Sequence, residues 1–107
     1  MTYEFATSVG AYHYQMQEKF HSETRIFALL CLESTPYNRA HLTQKEIANR
    51  LNLDKTTVIR CIKSLREQSL IRLVKQSVYM LNPYLVLRGR QYVAYQDWDN
   101  LKGINND

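Results

Sequence analysis

Residues 42–81, LTQKEIANRLNLDKTTVIRCIKSLREQSLIRLVKQSVYML, read as two short helices joined by a tight turn and followed by a β-hairpin. Thr43 can cap the first helix through its hydroxyl, and Glu46, three residues later, closes a capping box. Ile47, Ala48 and Leu51 then share one face. Asn52 tolerates the left-handed backbone that a sharp helix exit needs. Leu53 plugs the turn, and Asp54 is a good N-cap for a second helix beginning Lys55-Thr56-Thr57.

In the second helix Val58, Ile62 and Leu65 recur at i, i+4 and i+7, which turns one stripe to a core. The opposite face carries Lys55, Thr56, Thr57, Arg60, Lys63 and Ser64. An apolar back with a cationic, hydroxyl-rich front suits the DNA major groove. Leu70 to Val74 and Val78 to Leu81 are apolar or β-branched runs on either side of Lys75-Gln76-Ser77, a short hairpin with a basic tip. The expected fold is therefore mostly α with a small β-hairpin wing: a winged helix-turn-helix with N- and C-terminal extensions, its recognition helix near 55–68 and its wing at 70–81. At the recognition-helix exit Ser69 stands where glycine is usual, which predicts a looser turn or a different ending.

Net charge sharpens the functional reading. Residues 54–75 hold six Lys and Arg against two acidic residues, which accounts for the whole formal charge of +4. The excess sits where a phosphate-contacting surface is expected. Thr56, Thr57 and Arg60 are the candidates for base edges, with Arg60 suited to a bidentate contact with guanine. Lys55, Lys63 and Lys75 are candidates for phosphates, and Thr43, Arg72 and Gln76 complete the set of expected DNA-binding residues.

Other chemistry finds little footing. At 107 residues the chain makes one domain, and 45% hydrophobic with 22% charged residues argues against disorder throughout. No apolar run approaches the roughly 18 to 20 residues of a membrane span, and the start, MTYEFATSVGAY, lacks a basic, then apolar, signal pattern. The cytoplasm is the expected location. Cys31 and Cys61 read as buried free thiols without metal-ligand spacing. There is no Gly-rich phosphate loop, no paired carboxylates at a plausible site, and no nucleophile with a positioned histidine, so neither catalysis, nor a metal, nor a cofactor is expected.

Outside 42–81, residues 1–21 are rich in aromatics: Tyr3, Phe5, Tyr12, Tyr14 and Phe20. Their alternation with polar residues fits a small hairpin or a strand running into a helix. Ser22 is then read as the cap of a helix made apolar by Ile26, Phe27, Leu29, Leu30 and Leu32. STPYNRAH, residues 34–41, reads as a loop. After Asn82-Pro83 come a short apolar run, 85–87, and the basic turn Arg88-Gly89-Arg90. Residues 91–101 fit a last helix with Tyr92, Tyr95 and Trp98 in steps of three, and 102–107 a frayed tail. The expected division is 1–21, an aromatic extension; 22–83, the winged helix-turn-helix; and 84–107, a C-terminal segment and helix. The aromatic ends predict a homodimer, which would match a two-fold symmetric DNA site.

The stretch LTQKEIANRLNLDKTTVIRCIKSLREQSLI followed by VYMLNPYLVLRG resembles the RepL-like replication proteins of Gram-positive plasmids, within the MarR-like winged-helix superfamily. Tyr79-Met80-Leu81-Asn82-Pro83 to Gly89 is the distinctive part of that likeness. The resemblance implies a plasmid- or phage-borne protein that binds DNA at an origin or an operator, with replication or transcription proteins as possible partners. A transcriptional repressor is the alternative use of the same surface. A protein-interaction module is a further one, and it predicts an apolar or acidic recognition face.

Overall fold

The computed structural model describes residues 10–89 and 91–102. Its elements run α1 (Gly10–Glu33), β1 (Arg39–His41), α2 (Gln44–Leu51), α3 (Lys55–Glu67), β2 (Ile71–Lys75), β3 (Val78–Leu81) and α4 (Gln91–Asn100). The strands form one antiparallel sheet in the order β1-β3-β2. α2 and α3 with their turn, and the β2–β3 hairpin behind them, make a winged helix-turn-helix.

The local signals act as their chemistry dictates. The Thr43 hydroxyl accepts the Glu46 amide at 3.0 Å, and the Glu46 carboxylate accepts the Thr43 amide at 3.1 Å. Two orphan donors of the first turn are thereby satisfied. Asn52 leaves α2 in the left-handed region, φ 54°, and the Leu53 amide donates to the Ala48 carbonyl at 2.9 Å.

At the end of α3, Ser69 takes the left-handed conformation itself, φ 57°. The Leu70 amide donates to Leu65 and the Ser69 amide to Arg66, both at 3.0 Å, which is a complete Schellman ending. The turn is not loosened by the missing glycine. Asn82 clamps it from across the hairpin, its side-chain amide on the Ser69 carbonyl at 2.9 Å and its backbone amide on the Leu70 carbonyl at 3.0 Å.

Two expectations fail. Residues 10–33 form one unbroken helix of 24 residues, so Ser22 is not a cap, no hairpin or strand occurs over Tyr12 to Met16, and no break separates residues 21 and 22. Between Ala11 and Glu33 the chain has neither proline nor glycine, and Gln15, Met16, Gln17, Glu18 and Lys19 are good helix formers; propensity overrides a weak alternation. Tyr3, Phe5, Arg90 and the tail beyond Lys102 lie outside the described residues. Within the supposed 34–41 loop, Arg39, Ala40 and His41 are a strand, paired with Met80, Tyr79 and Val78.

One core joins Ile26, Leu29 and Leu30 of α1, Ile47 and Ala48 of α2, Val58, Cys61, Ile62 and Leu65 of α3, and Ile71, Tyr79 and Leu81 of the sheet. Strand alternation sends the other set outward. There Met80 joins Ala94, Trp98 and Leu101, with Val74 at the margin. All four residues of β3 are buried because both faces of the sheet are covered.

Asn38 ties the ends together. Buried and left-handed at φ 64°, it donates from its side-chain amide to the carbonyls of Leu81 (3.3 Å) and Val86 (2.6 Å) and accepts the Arg88 amide at 2.7 Å. Next to it, a Cβ on Gly89 would meet the Cβ and carbonyl oxygen of Pro36 at 3.0 Å, so only glycine fits without a shift.

Candidate nucleic-acid interface

α3 presents two chemically distinct sides. Val58, Cys61, Ile62 and Leu65 are buried, whereas Lys55, Thr56, Ile59, Arg60 and Lys63 are exposed. With 3.6 residues per turn, the exposed set forms a continuous outward stripe over the first two and a half turns. Five of the expected residues thus have settled positions: Lys55, Thr56, Arg60 and Lys63 on this stripe, and Lys75 exposed at the wing tip.

Thr57 is different. It is half-buried, and its hydroxyl faces the Asp54 carboxylate. Asp54 holds the N-cap position with extended backbone, φ −77° and ψ 156°, although the carboxylate stops short of a close capping hydrogen bond. The Thr57 hydroxyl, followed by the local amides, keeps the Asp54 pKa below the usual carboxylate value. A depressed carboxylate pKa gives stabilisation that is full above the unfolded-state pKa and is lost as pH falls through the folded one. The contribution of Asp54 to the start of α3 is therefore lost in acid.

A cleft of about 540 Å³ runs between the wing and the two helices. Thr43, Gln44 and Lys45 line it from the start of α2, Lys55 and Arg66 from α3, and Gln76 and Ser77 from the wing tip. Ile62, Leu73 and Tyr79 complete the lining. Three expected residues from separate parts of the chain, Thr43, Lys55 and Gln76, meet here. Burial pushes the Tyr79 phenol up, against the opposing effects of the Gln44 side chain and Arg66, so it stays neutral. The cleft is cationic at the rim, where Lys45 and Lys55 stand.

Arg72 corrects the sequence reading. It is only 7% exposed and points away from α3 and the cleft. Its guanidinium lies 4.0 Å from the centroid of the Trp98 ring and donates to the Trp98 carbonyl. The register explains why. Arg39, Met80 and Arg72 form one row across the sheet on the face toward α4. At one end of that row Arg39 pairs with Asp97 at 3.1 Å, and at the other Arg72 covers Trp98. Two consecutive residues of α4 are thus gripped by the two edges of the sheet. A cation so placed offers nothing to phosphate.

The same contacts revise the aromatic stripe. Trp98 is not left for a second chain: it is buried on Met80 and Arg72 of its own sheet. Tyr95 stacks on Tyr84 with centroids 4.6 Å apart, and the Tyr92 side chain lies outside the described residues. Both cysteines are free thiols, and burial raises the pKa of Cys31 despite the nearby Arg88. Among the described residues no three His, Cys, Asp or Glu gather as a metal site requires, and no helix is long and apolar enough to cross a membrane.

Sequence reasoning missed Gln44, Lys45, Ile59, Arg66 and Tyr79. Lys45 was findable as a cation in the first turn after the Thr43 cap, beside the turn that brings α3 in. Ile59 was findable too, because it falls off the Val58–Ile62–Leu65 stripe. Arg66 and Tyr79 depend on how the wing folds back.

An exposed cationic second helix with a wing beside it defines a winged helix-turn-helix DNA-binding protein. Residues 24–88 match the Crp-like helix-turn-helix domain, and the chain belongs to that family. No curated protein and no solved structure matches it. The residues of the Tyr79 to Gly89 segment have work within the fold itself: Asn82 clamps the α3 exit, and Gly89 passes against Pro36.

Proposed function

We propose that the protein is a sequence-specific reader of double-stranded DNA, binding as a homodimer with α3 in the major groove and the wing on the backbone. The observation that carries this reading is the outward stripe of α3, where Lys55, Thr56, Arg60 and Lys63 stand exposed. Arg60 contacts guanine and Thr56 reaches base edges, while Lys55, Lys63, Lys75 and the added Lys45 neutralise phosphates. The stripe is neither acidic nor broadly apolar, which disfavours a protein-interaction module. The protein acts on DNA in the cytoplasm, without catalysis or a cofactor. Exposed Leu32, Leu85, Leu87 and Val93 on the ends of the fold support a two-chain assembly.

The likeness of residues 79–89 to RepL-like proteins favours an origin or plasmid-maintenance site. Binding at an operator as a repressor is the second reading, because the helix-turn-helix and wing that the family match covers would serve either use.

A titration at two salt concentrations tests the proposal, comparing random duplex with a fragment from upstream of the gene. Tight binding that prefers the fragment is expected, and the position of the protected site then separates origin from promoter. Weak binding without preference and with a steep salt slope would reduce the basic stripe to an electrostatic patch. A monomer by light scattering at DNA-saturating concentrations, bound to a single half-site, would remove the dimer.

A further inference from the structure

We infer that Ile59 is a specificity-determining residue that reads the C5-methyl group of a thymine in the major groove; the inference rests on the DNA-reading function proposed above. Ile59 is 46% exposed, whereas Val58, Cys61, Ile62 and Leu65, the other apolar side chains of α3, are all buried. It therefore serves no core.

Its neighbours on the helix surface say what it faces. Lys55 and Thr56 lie one turn before it, Lys63 one turn after, and Arg60 beside it, all exposed. A protein partner needs a contiguous apolar area, and here the apolar group is single. The other exposed large apolar side chains among the described residues, Leu32, Tyr37, Tyr84, Leu85, Leu87 and Val93, lie on other elements. A lone apolar group among cations and hydroxyls matches the DNA major groove, where phosphates flank base edges and thymine alone offers a methyl group. A β-branched side chain is also nearly fixed at χ1 in a helix, so Ile59 presents its methyls without losing rotamer freedom on binding. With Arg60 directed to guanine, the two together specify a guanine and a thymine close in the same half-site.

The full chain is first used to select a preferred duplex from a randomised pool. Each thymine of that duplex is then replaced singly by deoxyuridine, which removes the methyl and keeps the base pair. Affinities are measured for the wild type and for Ile59→Ala, whose fold is checked by thermal unfolding. One thymine should be sensitive: losing its methyl weakens wild-type binding roughly four-fold, the worth of one buried methyl group. That substitution should leave Ile59→Ala unaffected. The inference is overturned if the wild type is indifferent at every thymine, a result that needs no variant, or if Ile59→Ala keeps the full sensitivity. Failure to select any preferred duplex would instead overturn the DNA-reading function itself.

Discussion

Arg60 of the recognition helix and Arg72 of the wing come from one basic stretch of sequence and are put to opposite uses. Arg60 on α3 stands in solvent beside Lys63, with its guanidinium available to a ligand. Arg72 on β2 lies under Trp98, its charge held by an aromatic face and the carbonyl of the same residue. Both count equally in a sum over residues 54–75. Only the first contributes to a surface. A helix with one buried stripe leaves its other side to solvent, whereas the start of β2, packed on both faces of the sheet, leaves neither Ile71 nor Arg72 to solvent.

The largest effect that tests this contrast is Trp98→Ala. It removes the centre of the outer cluster and uncovers Arg72, so chemical denaturation should show a loss of about 3 to 5 kcal/mol. A loss below about 1 kcal/mol, the range of ordinary surface changes, would mean that α4 does not seal the sheet. Arg72→Ala comes next, at about 2 kcal/mol of stability from the lost carbonyl hydrogen bond, ring contact and packed stem. The salt slope of its DNA binding should match that of the wild type, and a shallower slope would put Arg72 at a phosphate after all.

Arg60→Ala should do the reverse. Stability stays within about 0.5 kcal/mol, while affinity for the preferred duplex falls by about 1 to 3 kcal/mol and falls less for random DNA. An equal loss on both duplexes would turn Arg60 into a phosphate contact. Lys75→Ala should lower affinity for all sequences alike and reduce the salt slope by about one, which would establish that the wing tip, unlike the wing's outer face, meets the backbone. The smallest effect belongs to Ser69→Gly. Relieving a left-handed serine, worth about 1 to 2 kcal/mol, against glycine's entropy cost of about 0.5 to 1 kcal/mol, should raise the unfolding free energy by about 0.5 to 1 kcal/mol; a fall would show that Ser69 contributes more than a turn.

Much of this contrast could be seen in advance, and the part that could not has a definite cause. Alternation along IRLVK puts Arg72 on the same side as Val74, opposite Ile71 and Leu73. That alone separates it from the side facing the core. It does not say that the far side is covered, because that depends on where α4 returns, some twenty residues later in the chain. Asn38 is harder still. Its three side-chain hydrogen bonds reach residues 81, 86 and 88, and nothing in STPYNRAH marks it as a buried hub. The strand β1 is equally hidden, since three residues carry too little periodicity to be read before a partner is known.

The sequence by itself determined the helix-turn-helix, the helix boundaries at Thr43, Asn52 and Asp54, the apolar stripe of α3 and the hairpin after it. These rest on hydrogen bonds and periodicities that close within a few residues. Tertiary structure alone decided that Ser69 could replace a glycine, that Thr43, Lys55 and Gln76 share one cleft, and that Arg72 is enclosed while Arg60 is exposed. Those outcomes depend on contacts between segments far apart in sequence, and burial is a property of what lies on the other side.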